Sequence, residues 1–129
     1  MPVVNIRYKA KIKQTELAPL VPVLREVLAR QLTCENNQGQ AITITHEMVK
    51  LRFDQASELD TGMHDLHIEI EARNFEARKP HLEEYSTELA QAVASLLPQD
   101  IDISIWYKLC HASWRAGPGQ LPATTRDDS

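Results

Sequence analysis

The residues of this chain that can do chemistry are few, and the most unusual stands second. Met1 is followed by Pro2. Methionine aminopeptidase removes an initiator methionine when the next residue is small, and proline qualifies. Pro2 would then carry a secondary amine, held in one direction by its ring and by the chain behind it. Such an amine acts as a base or a nucleophile if its surroundings keep it neutral. The plain alternative is a strand opener, because proline is tolerated at the first residue of a strand. Arg73 is the second candidate. It stands where a predicted strand meets a predicted helix, a common place for ligands in α/β proteins. Its guanidinium can grip a carboxylate through two parallel hydrogen bonds or polarise a developing oxyanion. It can equally form a surface ion pair with Glu71 or Glu76. Arg78 lies about a helical turn further on and reads as a surface residue. Arg7, on the first predicted strand, is a weaker cation for the same purpose. Trp106, Tyr107 and Trp114 are candidates to wall a pocket. Tyr107 shares its alternation with Ile101, Ile103 and Ile105, which fits core packing as well. Trp114 can instead pack under the C-terminal tail or at a subunit contact.

Other chemistries have little support. Cys34 and Cys110 lack metal-ligand spacing and read as reduced thiols of an intracellular protein. His64 and His67 are three apart, which in an extended segment puts them on opposite faces. His67 and Glu69 share a face without a third ligand, so no metal is expected. Nothing resembles a phosphate-binding glycine loop or a serine nucleophile motif. With a net charge of −4 there is no basic footprint for nucleic acid. No apolar run approaches a membrane span, and the N-terminus lacks the apolar region of a signal peptide. The expectation is a cytoplasmic protein. Its 129 residues, 43% hydrophobic and 25% charged, suffice for one domain with a real core.

The elements that must position Pro2 and Arg73 follow from periodicity. Residues 2–10 alternate, with Val4, Ile6 and Tyr8 on one face and Val3, Asn5, Arg7 and Lys9 on the other. Leu17, Leu20, Val21, Leu24, Val27, Leu28 and Leu32 recur at helical spacing, with Thr15 as the expected N-cap. Pro22 should kink this helix or move its start toward residue 18. Residues 33–40 read as a loop. The second strand is expected at Ala41–Thr45, continuing through Val49–Phe53 after a break near His46. Residues 54–62 are loop-like. Asp65–Arg73 alternates again, with Leu66, Ile68, Ile70 and Ala72 on the apolar face. Asn74 is the expected cap of a second helix running to Leu97, its regular part beginning near Pro80. Residues 101–109 form the last strand. From Ala116 the chain reads as a flexible tail.

The order is strand–helix–strand twice over, each half a crossover joining two parallel strands. The fold class is therefore α/β (α+β), with two β-α-β units in a four-stranded mixed sheet and both helices on one face. Residues 2–115 form one domain. The uncovered face carries Asn5, Arg7, Lys9, His67, Glu69, Glu71, Asp102, Ser104 and Lys108, with Trp106 among them. It is either solvent-exposed or the inside of a ring of subunits, where mixed signs on adjacent strands pair.

A strand beginning at Pro2, with two β-α-β units in this length, resembles the tautomerase superfamily. Arg73-Asn74-Phe75-Glu76-Ala77-Arg78 resembles the Arg-Ser-x-Glu-x-Arg segment of 5-carboxymethyl-2-hydroxymuconate isomerases. Ala112-Ser113-Trp114-Arg115 is similar to a Ser-Trp-Lys stretch in the same group. The Trp114 tail with Gly117 and Gly119 resembles malonate semialdehyde decarboxylase. Two departures stand out: Phe75 occupies the place of the decarboxylase's second arginine, and no arginine precedes Arg52 near the second strand.

The resemblance implies a trimer whose sheets form an inner barrel, and cofactor-independent chemistry on a small carboxylate. Pro2 would be the general base and Arg73 the carboxylate partner, with Arg78, Arg7, Trp106, Tyr107 and Trp114 available for substrate binding. The reaction would be tautomerisation of a 2-hydroxy-dienoate or 2-oxo acid. The same scaffold could decarboxylate or hydrate a 3-oxo acid. A non-enzymatic alternative is a ferredoxin-like ligand-binding module, in which the strands pair antiparallel and Pro2 has no role.

Overall fold

The computed structural model describes residues 2–110. Strand β1 spans Val3–Tyr8, and the predicted alternation holds: Val4, Ile6 and Tyr8 are buried. A single helical turn, α1 (Gln14–Leu17), follows. Its N-cap is Lys13, not Thr15, and the Lys13 N–H donates to the Glu16 carboxylate at 2.9 Å. Pro19 caps α2 (Leu20–Leu32). Pro22 falls in the first turn of α2, where a backbone N–H would have no partner inside the helix, so it is accommodated without a break. The two prolines thus delay the long helix to residue 20. Leu20, Leu24, Leu28 and Leu32 form its buried stripe.

The expected second strand is divided. Cys34–Glu35 (β2) and Ala41–Ile42 (β3) pair with each other as a short antiparallel hairpin, separate from the main sheet. Its turn is built by Asn36, whose side-chain oxygen accepts from the N–H groups of Gln38 and Gln40, and by Gly39 at φ +80. Glycine adopts that left-handed conformation without steric cost. The Thr33 hydroxyl accepts from Ile44 N–H at 2.9 Å and donates to Ala29 O at 2.8 Å, fastening the hairpin's base to α2. A 3₁₀ turn, His46–Met48, then leads into β4 (Lys50–Gln55), the strand that joins the sheet.

Strand β5 (Leu66–Arg73) is buried at every second residue, as its pattern predicts. The segment after it is not an Asn74-capped α-helix. Asn74 N–H donates to Cys110 O, continuing the sheet, and Glu76–His81 is 3₁₀. Helix α3 (Leu82–Ala94) begins only beyond Pro80. Proline lacks the N–H and disfavours the helical conformation in the residue before it. Strand β6 is Ile103–Cys110.

The sheet order is β4-β1-β5-β6. β1 runs parallel to β4 and β5 parallel to β6, while β1 and β5 are antiparallel. Two β-α-β units therefore meet along their first strands. The two parallel pairs exclude the ferredoxin-like alternative. Val4, Ile6, Ile68 and Ile70 pack with the leucines of α2 and with Leu89 and Val93 of α3. Burying each such side chain contributes roughly 1.5–3 kcal/mol.

The other face of the sheet is polar and paired across strands. Asn5 donates to Glu71 at 3.5 Å, Lys108 lies 3.7 Å from Glu69, and a His67 ring nitrogen lies 3.3 Å from the Ser104 hydroxyl. Among the described residues no helix is long and apolar enough to cross a membrane.

Candidate functional site

The register of the two central strands creates the site. Val3 stands opposite Glu71, so the residue before β1 lies alongside the end of β5. Pro2 is buried there, and its carbonyl accepts from Lys50 N–H at 3.0 Å. Arg73 ends β5. Both line one pocket of about 550 Å³. The β2–β3 hairpin supplies the facing wall through Asn36, Ala41 and Ile42, followed by Thr43 and Ile44, and the 3₁₀ turn adds Met48. Phe75 and Arg78 complete it. Among the described residues the lining contains two arginines and no carboxylate, in a chain whose net charge is −4. Its remaining surface is largely apolar. An anion with a hydrocarbon body meets cation and grease together in such a place.

Arg78 is not the surface residue its position suggested. It is 2% exposed, and burial lowers the pKa of its guanidinium. Its Nε and Nη2 donate to Leu32 O at 3.1 and 2.7 Å, and its Nη1 donates to Arg73 O at 3.0 Å. The guanidinium carbon lies 4.8 Å from the centre of the Phe75 ring, a cation–π contact. Arg73 lies over the same ring at 6.0 Å.

The other predicted residues are elsewhere. Arg7 is paired with Asp60 at 3.6 Å and lines a different groove of about 420 Å³ with Trp106, Ser104 and Met63. His64 and His67 line that groove too. They are not on opposite faces, because His64 precedes β5 and the strand alternation does not extend to it. His64 is instead turned onto Asp102 at 2.7 Å. Among the described residues the groove and the Pro2 pocket share no lining residue.

Trp106 is 59% exposed on the polar sheet face, edge-on to His67. Tyr107 points the opposite way. Its hydroxyl donates to the Gln31 side-chain oxygen behind the sheet, and burial pushes its pKa up. It packs against the core and is not among the described residues that line the Pro2 pocket. Trp114 lies outside the described residues. Among the described residues no group of three His, Cys, Asp or Glu is placed to hold a metal ion.

Sequence reasoning missed the hairpin wall. Asn36 and Gly39, three apart between apolar stretches, are its one local signal: an Asx turn closed by a glycine.

No family model matches the sequence, and no curated protein matches it. Solved structures do match in shape. Leishmania major MIF2 superposes with a TM-score of 0.55 at 15% identity, covering 88% of this chain and 93% of that one. A member of the cis-3-chloroacrylic acid dehalogenase family, N1, gives 0.61 at 13% identity, covering 92% and 82%. A fused 4-OT, described as a symmetric trimer, gives 0.58 at 10%, covering 90% and 92%. The chain has the tautomerase/MIF-like fold. At these identities the likeness is one of architecture. In this chain's version of that fold, the Pro2 pocket sits where β1 begins and β5 ends.

Proposed function

We propose that this protein is a cofactor-independent tautomerase of a small 2-hydroxy-dienoate or 2-oxo acid, using the Pro2 amine once Met1 has been removed. The observation that carries the reading is the meeting of Pro2 and Arg73 in one pocket with no carboxylate among its described lining residues. The substrate carboxylate rests on the Arg73 guanidinium in the two-pronged geometry that arginine favours. Its hydrocarbon body lies against Ile42, Ile44, Met48 and Phe75. Burial and nearby positive charge both disfavour an ammonium at Pro2, which keeps the amine a base near neutral pH. Pro2 takes the enol hydroxyl proton and returns it to carbon, so one O–H bond breaks and one C–H bond forms. Arg73 stabilises the negative charge that develops on oxygen in between.

A second reading keeps Pro2 cationic, polarising the carbonyl of a 3-oxo acid for decarboxylation or hydration. It uses the same pocket, whose two arginines suit the carboxylate of a 3-oxo acid as well. Titration of Pro2 by NMR separates the two. An amine pKa of about 6 belongs to the base and one of about 9 to the acid.

The working assembly in this proposal is a homotrimer joined through the helix-free face of the sheet, where Trp106 is 59% exposed. Sedimentation should give about three times 14.6 kDa. Intact mass should show loss of Met1. Turnover of phenylenolpyruvate and 2-hydroxymuconate should then fall by roughly 100-fold or more in Pro2→Ala. Equal turnover by the variant would overturn the proposal.

A further inference from the structure

We infer that Arg78 is a positioning residue of the pocket, fastening the Arg73 end of β5 to the last turn of α2 and not itself receiving the ligand. The inference rests on the reading of the pocket as a carboxylate site. All three guanidinium nitrogens are engaged with main-chain oxygens: Nε and Nη2 with Leu32 O, Nη1 with Arg73 O. Leu32 closes α2, and the last carbonyls of a helix have no partner inside it and favour a cation. Directly beyond Leu32 the chain enters the hairpin that forms the pocket's facing wall. Phe75, against which the guanidinium stacks, also lines the pocket, and its N–H donates to the same Arg73 carbonyl at 3.0 Å. One side chain therefore sets the spacing between the strand end that carries Arg73 and the base of the opposite wall. It does so from a position 2% exposed, where a ligand carboxylate would have to displace main-chain acceptors. Lysine cannot substitute, because a single ammonium lacks the fork that reaches both carbonyls in one plane.

The test uses Arg78→Lys and Arg78→Ala in the full chain, with phenylpyruvate as a monocarboxylate probe and 2-oxoglutarate as a dicarboxylate probe. Affinities are read by NMR titration well below the unfolding temperature, and amide exchange is followed in parallel. For Arg78→Lys we expect both Kd values to rise in parallel, by roughly tenfold. Exchange should accelerate at the Phe75 and Arg78 amides and stay unchanged in the β1–β4 ladder. Millimolar guanidinium should restore part of the affinity of Arg78→Ala. Selective loss of the dicarboxylate would overturn the inference, by making Arg78 a ligand contact. Unchanged Kd values with uniformly faster exchange would also overturn it, by making Arg78 a general stabiliser. If the wild type binds neither acid, the carboxylate reading of the pocket fails, and local exchange at Phe75 still decides whether Arg78 is the fastener.

Discussion

Replacing Tyr107 by phenylalanine separates the core from the site. The hydroxyl donates to the Gln31 side-chain oxygen, with the Tyr85 carbonyl 3.3 Å away. Gln31 is 2% exposed, and its amide nitrogen donates to Tyr85 O at 3.1 Å and to Glu88 at 2.9 Å. Removing the hydroxyl leaves the ring packing intact and strands a buried amide oxygen. That costs about 1–3 kcal/mol. For a domain of this size it lowers Tm by about 3–10 °C. Urea titration at neutral pH should show the loss, whereas kcat and KM should stay at wild-type values because the ring lies behind the sheet. The pair Tyr107→Phe with Gln31→Leu should cost less than the sum of the two, since no orphaned acceptor then remains. The pH dependence has a definite sign. Burial raises the pKa of Tyr107 above its unfolded value of about 10. Its contribution is therefore complete below about pH 10 and is lost as pH rises through the folded value. Phenylalanine has no such loss, so the two proteins should converge in strongly alkaline solution. A Tyr107→Phe variant within about 0.3 kcal/mol of wild type would refute the buried-network argument. A raised KM at unchanged stability would return Tyr107 to the pocket.

Two other perturbations address the polar side of the fold. The Asp65 carboxylate accepts from Asp102 N–H at 3.0 Å and lies 3.1 Å from Lys11 and 3.5 Å from Lys9, an arrangement that lowers its pKa. Its contribution is present above about pH 4 and is lost as pH falls through the folded value. Asp65→Asn should accordingly be less stable than wild type at pH 7, and acid titration of both proteins should show the difference shrinking below about pH 4. Trp106→Ser should change the stability of the isolated domain by no more than about 0.5 kcal/mol, because the ring is 59% exposed. If the sheet face joins subunits, sedimentation equilibrium should show the same variant dissociating at concentrations where the wild type is associated.

What was legible in the sequence is what short-range periodicity can carry. Val4-Ile6-Tyr8 and Leu66-Ile68-Ile70-Ala72 alternate because each strand hides one face under helices, and a period of two leaves that mark directly. The same logic offered core packing for Tyr107 beside its candidacy as a pocket wall. Pro2 and Arg73 were each legible by residue type and position, but only the family resemblance joined them, and the topology supplies the physical reason. Antiparallel pairing of β1 with β5 brings the beginning of one beside the end of the other, over 70 residues away.

The hairpin wall left no periodic mark. Each of its strands is two residues long, shorter than any alternation can register. Arg78 was illegible for a different reason. Placed on a regular helix from Asn74, it falls among polar neighbours and points to solvent. Pro80 holds the segment in a 3₁₀ conformation instead. The carbonyl that draws the guanidinium inward belongs to Leu32, 46 residues earlier. A buried cation is tolerated only where acceptors await it, and two main-chain oxygens in fixed positions are what this site provides. Its burial therefore depends on α2 ending at Leu32. That makes the proline-delayed start of α2 irrelevant to the pocket and its C-terminal end decisive. A substitution that extends α2 beyond Leu32 should disturb Arg78, and with it Arg73, while one that alters the first turn near Pro22 should not.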